Sequence, residues 1–205
     1  ALSSETLADG EGEIEREMAL SSTSTLYRIV PEESEVRFLI GEFLDEVANQ
    51  VIGATDQVAG DILIDFGDPA ASRLGQIRVN VRTLETDQGM RDRTIRSMIL
   101  DSGQEQYEFV EFDPIELVGL PDSLAVGDTM DFQIAGNLTV KGIAAAMTFE
   151  ATVTVVAADR IEGTAGGSVR YDEYGLFIPN ARGRVTNVDE VVVLEIDFVA
   201  VAVTG

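Results

Sequence analysis

Cysteine, histidine and tryptophan do not occur in the 205 residues, and lysine occurs once, at Lys141. The first two absences remove Cys–His and Ser-His-Asp nucleophile systems and nearly every zinc or haem site. Catalysis would be left with carboxylate, Ser/Lys or Tyr chemistry, so an enzyme is not expected, and neither is a required cofactor or metal. A chain of this length buries roughly 70% of its unfolded surface, so it folds without a disulfide or metal staple. Long hydrophobic runs are missing too: nothing approaches the ~18 apolar residues of a membrane-spanning helix.

Positive charge is scarce. Lysine and arginine total 14 against 37 aspartate and glutamate, a formal charge of −23. Such a surface repels phosphate backbones and anionic lipid headgroups, so no nucleic-acid partner is expected. The excess either solvates the protein, as at high salt, or meets a cationic partner. The chain opens on Ala1-Leu2-Ser3-Ser4 and then turns acidic, without a secretory signal pattern. A small first residue fits a processed mature protein and equally a shortened one.

Residues 1–26 differ from the rest: Glu5, Asp9, Glu11, Glu13, Glu15 and Glu17 accompany one arginine, Arg16, before the Ser/Thr run Ser21 to Thr25. Composition alone describes an acidic leader. Ile14 and Met18 lie four apart, so an amphipathic turn from about Glu13 to Leu20 is expected to dock the leader on its own barrel or on a neighbouring copy.

From residue 27 to 205 the pattern has period two, the mark of strands with one wet face. Val36, Phe38 and Ile40 share a face, as do Ile62 with Ile64, and Ile77, Val79 and Val81. Phe132 pairs with Ile134 in phase, and Met147, Phe149, Ala151, Val153 and Val155 alternate with polar residues. Leu194, Ile196 and Phe198 close the series. Turn chemistry at Gly67-Asp68-Pro69, Asp113-Pro114, Leu120-Pro121-Asp122, Gly127-Asp128, Ala158-Asp159 and Gly166-Gly167 separates the runs. About eight long antiparallel strands follow, and short turns between them favour an all-β up-and-down barrel over a sandwich. Gly60 is expected at a bulge or barrel corner.

One segment breaks the period. Thr86 or Asp87 is placed to cap a helix with Met90, Thr94, Ile95, Met98 and Ile99 on one side, closed by Ser102-Gly103. A single short helix there would lie across the barrel as a lid or plug.

These signals, in this order, resemble the YceI-like family of lipocalin-like barrels. The resemblance rests on Tyr27-x-Ile29-x-Pro31-x-x-Ser34-x-Val36-x-Phe38, on Val51-Ile52-Gly53 and Gly60, and on Thr83-Leu84-x-Thr86 followed by Arg91-Asp92 and Ile95-Arg96-Ser97. Tyr107 with Phe112, the hairpin Gly136-Asn137-Leu138-Thr139-Val140-Lys141-Gly142, Tyr174-Gly175, Pro179 and the terminal run Val191 to Ala200 complete it. The early histidines of the family are missing, and its Arg-x-Asp-Phe-Gly motif stands here as Arg170-Tyr171-Asp172-Glu173-Tyr174-Gly175, one residue longer. The resemblance implies a periplasmic or extracellular carrier whose signal peptide has been removed, with a polyisoprenoid or quinone-like lipid in its lumen.

The residues expected to line that lumen are Phe38, Ile40, Ile64, Val79, Val81, Phe112, Phe132, Ile134, Phe149, Val153, Ile196 and Phe198. The same residues would fill an eight-strand barrel as ordinary core, because side chains are able to close a lumen of that size. Arg91, Arg93 and Arg96 concentrate basic charge. They either meet a ligand headgroup at the rim or pair with Glu85, Asp87, Asp92 and Asp101 to fix the helix. Asp65 with Asp68, and Asp172 with Glu173, are carboxylate pairs of the kind used in acid–base work or Ca²⁺ binding, and 37 acids produce such pairs by accident. The alternative to a lipid carrier is a structural subunit that uses the barrel as a scaffold and residues 1–26 to contact a neighbour, forming a homo-oligomer or larger assembly.

Overall fold

The computed structural model describes residues 23–179 and 185–203. The alternating segments become β1 (Ser24–Ile29), β2 (Glu35–Leu44), β3 (Val47–Thr55), β4 (Val58–Ala59), β5 (Asp61–Asp65), β6 (Arg73–Leu74), β7 (Ile77–Asn80) and β8 (Phe109–Val118). They continue as β9 (Thr129–Val140), β10 (Ile143–Ala157), β11 (Arg160–Arg170), β12 (Val185–Val188) and β13 (Val191–Ala202), with one helix, α1 (Gly89–Thr94). Thirteen segments exceed the expected eight strands because several long strands are broken.

The breaks have local causes. β1 and β2 both run antiparallel to β13, with Ile29 opposite Ala200 and Glu35 opposite Asp197. They form one run interrupted by a 3₁₀ turn at Pro31–Glu33, where proline supplies no N–H to a ladder. β3, β4 and β5 make a second run, facing β2 and then β1. β6 and β7 make a third, facing β5 and β4. With β8, β9, β10, β11 and β13, the described residues form eight antiparallel runs, each beside its neighbours in sequence. β12 is an additional segment on the edge of β2.

The ladder order β4-β7-β8-β9-β10-β11-β13-β1-β5-β6 brings its own ends together, because β4 and β5 are separated by Gly60 alone. The curled sheet closes at that corner. Ile29 N–H donates to the Gly60 carbonyl at 3.0 Å. A Cβ at position 60 would stand 2.3 Å from Ile77 Cδ1, so the glycine gives that side chain room at the corner.

Two expected turns are strand interior instead. Asp113-Pro114 lies within β8, where the register with β9 shifts between Pro114 and Glu116 and absorbs the missing N–H in a bulge. Gly166-Gly167 lies within β11, and a Cβ on Gly167 would stand 2.6 Å from Met147 Cε, so the glycine makes room for an inward side chain of β10. Ser24 and Thr25, read as part of the leader, are β1 residues. The turn Glu13–Leu20, with Ile14 and Met18, lies outside the described residues.

The helix also differs in detail. α1 starts at Gly89 with Gln88 as its N-cap residue, not Thr86 or Asp87. Thr86 instead donates through its N–H (2.7 Å) and hydroxyl (2.6 Å) to Asp92 Oδ1, tying the approach loop to the first turn. The helix continues as a π turn over Ile95–Ile99, in which Leu100 N–H reaches the Ile95 carbonyl at 2.9 Å. Met90 and Met98 are exposed, and Ile95 is buried, so the inner face is narrower than the periodicity suggests.

The apolar interior forms two clusters, one at each end. The first, around Tyr27, Ile29, Val155, Ile161 and Ala200, lies beside the β10–β11 hairpin. The second, around Leu84, Ile95, Leu100, Leu138, Val140 and Tyr174, packs under α1. Three contacts hold the helix segment at that end: Arg96 Nε to the Leu84 carbonyl (2.8 Å), Lys141 Nζ to the Ile99 carbonyl (3.3 Å), and Arg82 Nε to the Ser102 carbonyl (2.5 Å).

Candidate functional site

Between the two clusters the lumen is open. It holds a cavity of about 830 Å³, walled by residues from every run of the barrel and by α1. An eight-strand barrel has room to be filled by its own side chains, so a cavity of this size needs a cause. The cause is glycine opposite aromatic. Phe38 pairs with Gly53 across β2 and β3, and Phe198 pairs with Gly163 across β13 and β11. A Cβ on Gly53 would stand 2.1 Å from the Phe38 ring, and one on Gly163 would stand 2.8 Å from the Phe198 ring. The Phe112 ring likewise lies 2.7 Å from the Cβ position of Gly136. Each ring therefore lies along the wall over a bare backbone and does not reach across the tube. Phe149 meets Phe112 edge-on, centroids 5.0 Å apart, which fixes both rings on one side.

All twelve residues expected to line the lumen stand on the cavity wall: Phe38, Ile40, Ile64, Val79, Val81, Phe112, Phe132, Ile134, Phe149, Val153, Ile196 and Phe198. Val81 does so from a 3₁₀ turn beyond β7 and not from a strand. Sequence reasoning missed Ile95, Ile99 and Leu100, which close the wall from the helix segment, and Leu138 and Val140, which continue the inward phase of Phe132 and Ile134 along β9. It also missed Glu42. That residue follows Val36, Phe38 and Ile40 in the inward phase of β2, the one signal that marked it.

The cavity reaches the surface beside α1, where Gln88 and Met90 both line it and are exposed. Polar side chains gather there. Glu42 is buried (9% exposed), and its Oε1 accepts from Arg91 Nη2 (3.2 Å) and Asn49 Nδ2 (3.0 Å). Arg91 Nη1 pairs with Asp87, so both terminal nitrogens of Arg91 are engaged. Of the three arginines singled out in the sequence, Arg91 alone stands on the cavity wall. Arg96 lies 3.9 Å from both Glu85 and Asp92 and serves the helix. Arg93 is exposed and has no ion pair among the described residues. Elsewhere on the wall charge turns outward: the Arg37 guanidinium binds Glu35, Glu195 and Asp197, which holds it above its usual range.

Two buried tyrosines mark the two ends. Tyr27 donates to the Ala158 carbonyl (2.9 Å), and Tyr174 has a buried hydroxyl without a partner among the described residues. Burial raises the hydroxyl pKa of both. The carboxylate pairs do other work. Asp65 is a buried anchor that accepts from the Thr23 and Ser24 hydroxyls and from Gly67 and Asp68 N–H. Asp172 pairs with Arg170 at 3.0 Å, which lowers its pKa. Among the described residues no group of three His, Cys, Asp or Glu side chains could hold a metal ion.

The family model of the YceI-like domain matches residues 27–200. The chain belongs to the YceI-like family. Solved structures agree on the fold. Burkholderia cenocepacia BcnA is 16% identical with a TM-score of 0.64, over 83% of this chain and 98% of that one. A polyisoprenoid binding domain from Saccharophagus degradans, implicated in plant cell wall breakdown, is 15% identical with a TM-score of 0.62, over 86% and 98%. The Campylobacter jejuni YceI protein is 14% identical with a TM-score of 0.58, over 75% and 85%. No curated protein matches the sequence. Within the YceI-like barrel of this chain, the aromatic–glycine pairs account for the open lumen, and Glu42 with Arg91 makes its polar rim.

Proposed function

We propose that this YceI-like protein is an extracytoplasmic carrier, and not an enzyme, that holds a long isoprenoid or quinone-like lipid in its lumen. The observation that carries the reading is the cavity of about 830 Å³, apolar along its length and polar at one rim. Burial supplies the affinity: each methylene taken from water contributes about 0.8 kcal/mol, so a branched hydrocarbon needs no polar recognition inside. The polyisoprenoid binding domain of Saccharophagus degradans, which has the same fold, supports the choice of ligand class. The missing histidine and cysteine, and the paired state of the rim carboxylate, support binding over catalysis.

The test is organic extraction of the purified protein followed by mass spectrometry. A stoichiometric isoprenoid or other long-chain lipid is expected. Protein that carries no lipid, and takes none up when long-chain isoprenoids are added, ends the proposal.

A further inference from the structure

The rim says which end group such a lipid carries; this inference rests on the carrier reading above. Glu42, Gln88, Arg91 and Thr94 are polar residues of the cavity wall on or facing the α1 segment. Arg91 and Thr94 are three apart on the helix and so share one face, and Gln88 is the N-cap residue three positions before Arg91. Arg91 ties that face to Glu42 on β2. The other charged wall residues do not compete: Arg37 and Glu195 pair with each other, Arg37 also with Asp197, and Arg73 donates to the carbonyls of Ala70 and Ser72.

The bonding at Glu42 is one-sided. Oε1 accepts two hydrogen bonds, and Oε2 has no partner among the described residues. Glu42 as a whole is buried and lines the cavity, so Oε2 is the oxygen left available on that wall. The positive charge of Arg91 is shared between two carboxylates, Glu42 and Asp87, which leaves this cluster with a net negative charge. Gln88, the N-cap residue three positions before Arg91, also lines the cavity, and its side-chain amide has no partner among the described residues.

We infer that the rim selects a neutral lipid bearing a terminal hydroxyl and rejects its phosphorylated form. The hydroxyl donates to Glu42 Oε2 and accepts from the Gln88 amide. A phosphate in the same place meets a carboxylate at close range while the guanidinium beside it is already committed, and like charges in a desolvated site are strongly unfavourable. The net charge of −23 opposes the anionic lipid further, before it arrives.

The full chain, freed of bound lipid, is titrated separately with geranylgeraniol, geranylgeranyl phosphate and squalene, and retained lipid is read by native mass spectrometry. The alcohol is expected to bind at least roughly tenfold more tightly than the phosphate. Glu42→Gln keeps the shape and removes the charge, and should shrink that ratio to about threefold or less, with an unchanged circular dichroism spectrum. Phosphate binding equal to or tighter than alcohol, or a ratio untouched by Glu42→Gln, overturns the inference while squalene retention still upholds the carrier. If none of the three is retained, the carrier reading itself fails, and the headgroup inference with it.

Discussion

The two ends of this barrel are built from similar residues and do opposite things. At the β10–β11 end, Tyr27, Val155, Ile161 and Ala200 are wholly buried, and the one polar group among them, the Tyr27 hydroxyl, is bonded to Ala158. At the α1 end, the wall carries a buried carboxylate, an arginine and an exposed methionine, and the Tyr174 hydroxyl has no partner among the described residues. Close packing and satisfied polar groups are what stability requires. Open volume and unfinished hydrogen bonding are what a ligand site requires. On the carrier reading proposed above, stability sits at one end and binding at the other, along the same strands.

The largest effect should come from the packed end. Ile161 is completely buried and does not touch the cavity. Ile161→Ala should lower unfolding free energy by about 2–5 kcal/mol, the range for a large-to-small change in a core that cannot collapse. Urea denaturation measures this, and lipid retention by the folded fraction should not change. A loss below about 0.5 kcal/mol would mean that the packed end is looser than its burial indicates.

In the middle of the barrel the expected change is in binding. Gly53→Ala places a methyl where the Phe38 ring lies and drives that ring into the lumen. Displacing one or two methylenes of ligand, at about 0.8 kcal/mol each, weakens lipid binding roughly tenfold. Stability should hardly move, because alanine is better tolerated in a strand than glycine. Unchanged affinity would show that the ring has another place to go, and the glycine–aromatic account of the open lumen would fall.

Much of this was legible in the alternation. Period two placed Phe38, Ile64, Phe132 and Phe198 on the inner wall because a strand has only two faces and one of them is wet. The corners were less legible. Whether Gly60 bends a strand or ends it depends on Ile77 approaching from a neighbouring run, and Gly166-Gly167 imitates a turn because composition carries no register. The same limit hid the cavity. Phe38 fills or lines the lumen according to what stands opposite, and Gly53 is opposite only once β2 and β3 are in register. Glu42 was the most informative omission: an acid in the inward phase of an apolar strand is out of place in a core and in place at a rim.

The same substitution made at both ends gives the sharpest form of the comparison, with the smallest magnitudes. Tyr27→Phe removes a donor and leaves the Ala158 carbonyl short of a partner, so it should cost about 1 kcal/mol. Tyr174→Phe removes a hydroxyl that is buried without a partner among the described residues, and because an unsatisfied buried polar group is itself unfavourable, stability should rise by about 1 kcal/mol. Both rings are buried, and both changes delete one oxygen, so differences in area or volume cancel in the pair. Parallel denaturation curves of the two variants should therefore move their midpoints in opposite directions. Shifts of the same sign would mean that the two ends do not differ in how fully their buried hydroxyls are satisfied.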